Sequence, residues 1–139
     1  MTKKAIVTDK APAAVGPYSA AVSANGSINV SGQLPVDPAT GEFAGEDIRS
    51  QTRQSLTNIQ NILEAAGASM ADVVETTVLL SDINEFGAMN EVYAEFFAEP
   101  YPARAAFQVV ALPKGAKVTS IPKRGRRVMR DCGQERGLP

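Results

Sequence analysis

The sequence contains no histidine and only one cysteine, Cys132, in 139 residues. Without histidine the chain lacks the commonest metal ligand and the commonest proton shuttle near neutral pH, which excludes ordinary zinc sites and Ser-His or Cys-His nucleophiles. A single cysteine excludes a disulfide within the chain. Acid–base chemistry therefore falls to carboxylates, tyrosine, backbone groups or water. No apolar run approaches the ~20 residues of a membrane span, and the N-terminal stretch around Lys3 and Lys4 lacks the apolar core of a signal peptide. A cytoplasmic location without membrane contact is expected.

Cationic charge is also scarce over most of the chain. Residues 1–112 carry 6 Lys+Arg against 13 Asp+Glu, and residues 113–139 carry 8 against 2, so a charge of −7 is followed by one of +6. An acidic body repels a polyanion, so nucleic acid is an unlikely partner except through the C-terminal segment. With 44% hydrophobic and 21% charged residues, the composition is that of one globular domain.

The pattern along the chain reads as strand, hairpin, helix, strand, helix, strand. Residues 5–7 suit a short first strand. Asn25-Gly26, between 20–24 and 27–31, takes the positive φ angles of a type I′ hairpin turn at little cost. Residues 32–41, rich in glycine, proline and aspartate, read as a loop. Leu56, Ile59, Ile62, Leu63 and Ala66 recur at helical spacing from about Asp47, with Gly67 placed for a left-handed C-terminal cap. Residues 74–80 alternate as a strand. Phe86, Met89, Tyr93 and Phe96 or Phe97 form a second helical stripe, started by residues 81–84 and ended by Pro100 and Pro102. Two helices, each followed by a strand, argue for an α+β sandwich with both helices on one sheet face. Residues 105–112 are apolar on both faces, so the opposite face calls for cover by further copies of the chain in a closed cyclic oligomer.

Arg104 opens that last apolar run, residues 101–112, and nothing near it in sequence neutralises it. Its planar fork of donors suits a carboxylate held by two parallel hydrogen bonds, which makes it a candidate anion receptor. A strand-edge arginine reaching solvent, or one paired with a carboxylate of the same protein, would fit the spacing equally well.

Six segments, in this order, carry a resemblance: Gly16-Pro17-Tyr18-Ser19, Val30-Ser31-Gly32-Gln33-Leu34-Pro35-Val36, Thr40-Gly41, Gln54-Ser55-Leu56-Thr57-Asn58-Ile59, Asn90-Glu91-Val92-Tyr93-Ala94-Glu95-Phe96-Phe97 and Pro102-Ala103-Arg104-Ala105. Together they resemble the RidA/YjgF family of enamine and imine deaminases over about residues 3–118. The resemblance implies a chorismate-mutase-like α+β fold, a mixed sheet with two helices on one face, assembled as a homotrimer around a barrel-like core with ligand sites between subunits. It also implies hydrolysis of 2-aminoacrylate, 2-iminopropanoate or 2-iminobutanoate to 2-keto acids and ammonia, without metal or organic cofactor. Arg104 would clamp the substrate carboxylate and Tyr18 would supply a wall and a hydroxyl at the cleft mouth. Ser31 and Gly32 would offer backbone N–H groups, Asn90 a side-chain hydrogen bond, and Ala106, where many relatives carry cysteine, a backbone contact.

The resemblance weakens after Val118. In ungapped register Ile121 takes the place of the glutamate that the family offers to orient water. Pro122 lacks an N–H and residues 123–127 concentrate positive charge, so a central strand beyond Val118 is disfavoured. The expected division is a domain over 1–118 and a divergent basic tail over 119–139, read as solvated and disordered. Two alternative functions follow: a noncatalytic trimer that binds small carboxylates, and a translation-inhibiting or RNA-associated protein supported by the tail alone.

Overall fold

Hydrophobic stripes on two helices and a six-stranded mixed sheet meet in one core, with the strands in the order β1-β2-β3-β6-β4-β5. The structure is a computed structural model that describes residues 2–125; Cys132 and the basic residues from Arg126 onward lie outside them. The elements are β1 (Lys4–Ile6), β2 (Ala21–Ala24), β3 (Ser27–Val30), α1 (Ile48–Ala65), β4 (Val73–Leu80), α2 (Phe86–Phe96), β5 (Ala103–Gln108) and β6 (Val118–Arg124). All strand pairs are antiparallel except β4 and β5, which are parallel and joined through α2.

Local chemistry accounts for the element ends. Asn25 and Gly26 take φ of 51° and 79°, so the two-residue β2–β3 turn is the I′ type that matches strand twist. Asp47 caps α1 by accepting from the Ser50 N–H at 2.9 Å. Gly67, at φ 78°, ends the helix in a Schellman arrangement, with Gly67 N–H donating to Glu64 O and Ala68 N–H to Leu63 O. Leu56, Ile59, Ile62 and Leu63 of α1 and Met89 of α2 are almost fully buried in one cluster with Val78, Leu80 and Val118. The helices run parallel, since Arg49 and Arg53, one turn apart, pair with Glu91 and Glu95, one turn apart. Both helices cover the face formed by Thr76, Val78 and Leu80 of β4.

The C-terminal expectation is corrected here. Residues 119–124 are not a tail but continue from Val118 as β6, which lies between β3 and β4 in the sheet interior, so the domain extends at least to Arg124. Pro122 is tolerated because of where its missing N–H would point. The Ser120 carbonyl accepts from Gln33 N–H at 3.0 Å, so the backbone of Ser120, and of Pro122 two residues on, faces β3. There the β3–β6 ladder is interrupted between the pairs Asn29–Lys123 and Gln33–Ser120. A proline in a sheet belongs at such a break. The basic residues fit as well: Lys123 stands opposite Glu75 of β4, and Arg124 Nη1 donates to the Gly26 carbonyl at 3.2 Å.

A second difference is the length of β5. The apolar run continues to Leu112, but the strand stops at Gln108 because its partner β4 stops at Leu80, whose carbonyl accepts from the Val109 N–H at 2.9 Å. Residues 109–113 leave the sheet and line a cleft.

Candidate functional site

Arg104 lies on the edge strand β5, in register with Thr76, and its side chain turns toward α2. Phe86, Asn90 and Tyr93, spaced four and three apart, share one face of that helix and receive it. The guanidinium carbon sits 4.8 Å from the centroid of the Tyr93 ring and 5.3 Å from that of Phe86, and Arg104 Nη1 donates to Asn90 Oδ1 at 2.6 Å. No carboxylate among the described residues lies within 4.0 Å of it, which removes the possibility of an internal ion pair there. Arg104 is thus a stacked cation with most of its donor fork unengaged. Tyr93 is buried, and its hydroxyl lies 2.7 Å from Thr76 Oγ1. Burial pushes the Tyr93 hydroxyl above its usual pKa, while the Thr76 hydrogen bond and the Arg104 charge oppose that rise.

The second feature is a cleft of about 860 Å³ whose lining includes Tyr18, Gly32, Leu79, Leu112, Lys114 and Thr119. Tyr18 is about half exposed and its hydroxyl accepts from the Val15 N–H at 3.3 Å. Among the described residues no partner engages the Gly32 N–H. Lys114 brings the one charged side chain among the cleft residues.

The floor of this cleft is held from beneath by polar residues of α1 that spacing alone assigned no role. Gln51, Ser55 and Asn58 recur four and three apart and are buried. Ser55 Oγ donates to the Gln33 carbonyl at 2.7 Å, and Asn58 Nδ2 donates to the carbonyls of Leu34 at 3.2 Å and Val36 at 2.9 Å. Gln51 Nε2 donates to the Gly45 carbonyl at 3.0 Å, and its Oε1 accepts from the Lys117 N–H at 2.8 Å. Together with the bridges Gln33–Ser120 and Val36–Phe43 and the turn bonds between Asp37 and Gly41, these contacts hold residues 33–45 on a fixed path without a regular strand or helix. The signal in the sequence was polar residues at helical spacing beside an apolar stripe.

Four of the six expected site residues fall into two pairs. Arg104 and Asn90 come together on the helix side of β5. Tyr18 and Gly32 meet at the cleft, where Gly32 faces Thr119 and Ile121 on the opposite sheet face. Since β6 and β4 stand between Gly32 and β5, three strand spacings, roughly 14 Å, separate them. Ser31 is engaged within the chain: its N–H donates to the Ala20 carbonyl at 2.9 Å and its hydroxyl to the Ser19 carbonyl at 2.6 Å, so both donors close the open end of the β2–β3 hairpin. Asn90 commits its oxygen to Arg104, which leaves its amide nitrogen as the group able to donate. The Ala106 methyl packs against the core beside Val78, which leaves its backbone for any ligand contact.

Fold and geometry thus define an α+β protein with a stacked, uncompensated guanidinium on one sheet edge and a mostly apolar cleft bearing one lysine. Comparison with known proteins narrows this class. The chain belongs to the RidA/YjgF family, whose family model, described as Endoribonuclease L-PSP, matches residues 8–119. It is similar to the bovine (Bos taurus) protein named 2-iminobutanoate/2-iminopropanoate deaminase, with 51% identity over 85% of this chain and 86% of that one. The human (Homo sapiens) protein of the same name is 46% identical over 85% and 86%. Among solved structures, RidA from Psychrobacter superposes with a TM-score of 0.84 at 49% identity, covering 87% of this chain and 98% of that chain. E. coli TdcF with bound serine superposes with a TM-score of 0.84 at 42% identity over 89% and 99%.

Proposed function

We propose that the protein is a hydrolytic deaminase of small 2-imino acids and their enamine tautomers: 2-iminopropanoate, 2-iminobutanoate and 2-aminoacrylate. Water adds to the C=N carbon, the carbinolamine expels ammonia, and a 2-keto acid remains. The observation that carries the reading is Arg104, a guanidinium with no carboxylate partner among the described residues, held against two rings with donors to spare. Such a fork takes a carboxylate by paired charge-assisted hydrogen bonds and so fixes the adjacent imine carbon in space. Holding the reacting carbon in place removes part of the entropic barrier to water addition. Relatives about half identical over most of the chain carry the matching deaminase name.

In this reading the site forms between subunits of a homotrimer. Arg104 and the Tyr18–Gly32 cleft lie on opposite sheet faces of one chain, so a composite site unites them through neighbouring copies. The sheet face away from the helices supports the assembly, since Phe107 is 48% and Ile121 37% exposed there. The Gly32 N–H, the Ala106 backbone and the Tyr18 hydroxyl are the groups available to orient water and the developing amine. No metal or organic cofactor takes part in this scheme. The location belongs to the same proposal: a cytoplasmic protein, which fits described helices of which none is long and apolar enough to cross a membrane.

A second reading, carboxylate binding without turnover, is favoured by one observation: Ile121, an apolar side chain, occupies the position where the resemblance places a water-orienting glutamate. An RNA-directed activity has less support, because the chain has no histidine for the usual acid–base pair and only the basic residues beyond 112, not the acidic body, would attract a polyanion. The deciding experiment measures ammonia and keto-acid release from freshly generated 2-iminobutanoate by the intact protein and by Arg104→Ala. Turnover that collapses in the variant supports the deaminase. Binding of 2-oxobutanoate without turnover favours the second reading, and neither activity refutes both.

A further inference from the structure

We propose that Tyr93 is a positioning residue for Arg104, its ring fixing the plane of the guanidinium and its hydroxyl fixing the ring; this rests on the deaminase reading of Arg104. An arginine on an edge strand ordinarily samples many rotamers, and an exposed fork that wanders cannot hold a carboxylate in one place. Here the wandering is stopped by a closed circuit of contacts. Arg104 is the register partner of Thr76 across the β4–β5 pair. Thr76 Oγ1 lies 2.7 Å from the Tyr93 hydroxyl, and the Tyr93 ring lies 4.8 Å from the Arg104 guanidinium carbon. The side chain is therefore clamped to the strand next to the one that carries it.

The hydroxyl has no other evident purpose. At 6% exposure Tyr93 fills its place in the core as a phenylalanine would, and burying a hydroxyl is unfavourable unless it finds a partner. Thr76, 1% exposed, is that partner, and the pair holds the ring against rotation about its side-chain bonds. Phe97 supports the ring as well, with centroids 4.6 Å apart. With the guanidinium carbon over the ring and Nη1 on Asn90, Nε and Nη2 remain to receive a carboxylate. Burial keeps the tyrosine neutral, so the contact is cation–π stacking, not an ion pair.

The test compares wild type, Tyr93→Phe, Tyr93→Leu, Arg104→Ala and the double variant Tyr93→Leu/Arg104→Ala. Each is first checked for circular dichroism and oligomer mass. Steady-state deamination of 2-iminobutanoate is then measured alongside titration with 2-oxobutanoate. Tyr93→Leu is expected to lower kcat/KM about tenfold, mainly through KM, and to weaken 2-oxobutanoate binding in parallel. Tyr93→Phe keeps the ring and loses only the Thr76 tether, so its loss is about two- to threefold. In the Arg104→Ala background, Tyr93→Leu should cost nothing further, because a residue that acts through Arg104 has nothing left to position. A purely structural defect would instead multiply with the arginine loss.

An unchanged kcat/KM in Tyr93→Leu, or a loss that persists in full without Arg104, overturns the proposal. Should Tyr93→Leu fail to fold, Tyr93→Phe and Phe86→Leu decide in the same two backgrounds, by the same criteria. The deaminase reading is judged separately by Arg104→Ala alone: if that variant retains full turnover, the reading falls and the positioning role falls with it. If Arg104→Ala is inactive and the Tyr93 variants are not impaired, only the positioning role falls.

Discussion

Ile121 overhangs Gly32: a β-carbon added to Gly32 would stand 3.2 Å from Ile121 Cγ1 and 3.3 Å from Thr119 Oγ1. A side chain at Gly32 would crowd these two residues of β6, and without one the Gly32 backbone lies uncovered. Gly32→Ala is expected to destabilise the protein by about 1 kcal/mol through overpacking. Ile121→Ala in the same chain should restore part of the loss. Thermal unfolding of the two single variants and the double tests this, and strictly additive effects would contradict it.

Ile121 also permits a gain-of-function test. Its side chain lies beside Gly32 of the cleft, so a carboxylate in its place would stand next to the backbone proposed to orient water. If the chain is a deaminase short of a water-orienting acid, Ile121→Glu should raise kcat by about 10²-fold, the lower range for positioned general bases. The gain should vanish as pH falls through the carboxylate range, near pH 4. Equal rates in wild type and variant at neutral pH would show that other groups already orient the water.

Arg104→Lys retains the charge but gives up the planar fork and the broad stacking face. A loss of about ten- to a hundredfold in kcat/KM is expected, with thermal stability nearly unchanged because the side chain is exposed. Kinetics beside a melting curve would check it; equal activity would mean that a point charge is enough.

Asn58 supports the cleft floor through two buried donor contacts, to Leu34 and Val36, and its oxygen accepts from Gln54 Nε2 at 2.8 Å. Asn58→Leu would leave two carbonyls without donors, at an expected cost of roughly 2–4 kcal/mol. Urea unfolding measures this directly. A loss below about 0.5 kcal/mol would show that residues 33–45 hold their path by other means.

The cap of α1 should be visible in the pH dependence of stability. The Asp47 carboxyl is held below its ordinary pKa chiefly by the hydrogen bond from the Ser50 N–H. A lowered folded-state pKa contributes stability that is present above the unfolded value, about 3.9, and is lost as pH falls through the folded one. Wild type should therefore melt above Asp47→Ala at pH 7, and the gap should close in acid. A gap that stays constant down to pH 2 would contradict the capping role.

Much of this architecture was legible in the sequence because it depends on local rules. Asn25-Gly26 has one favoured turn, Gly67 one favoured cap, and the stripe from Leu56 to Leu63 one favoured period, and each element appears where its signal lies. β6 was not legible, for an equally physical reason. A proline and two cations argue against a strand only when their partners are unknown, and the ladder break beside Pro122 and the register of Lys123 with Glu75 are set by residues about ninety and about fifty positions away. The site followed the same division. Arg104 stood out as a charge in an apolar run, whereas its seat on Phe86 and Tyr93 was hidden, since two aromatics at core spacing look the same whether or not a cation lies across them.

The position of β6 governs how the chain reaches its folded state. It is the last strand of the described residues, yet it is the only one that touches both β3 and β4. The hairpin sheet built by β1, β2 and β3 and the parallel pair β4–β5 can each form as the chain emerges from the ribosome, but they cannot join until residues 118–124 have been made. Completion is therefore non-local and comes late in synthesis. Until then each half presents a bare strand edge able to pair with another chain. A stop codon or frame change shortly before Val118 would remove more than a short terminal peptide: it would leave two half-sheets with no strand to unite them.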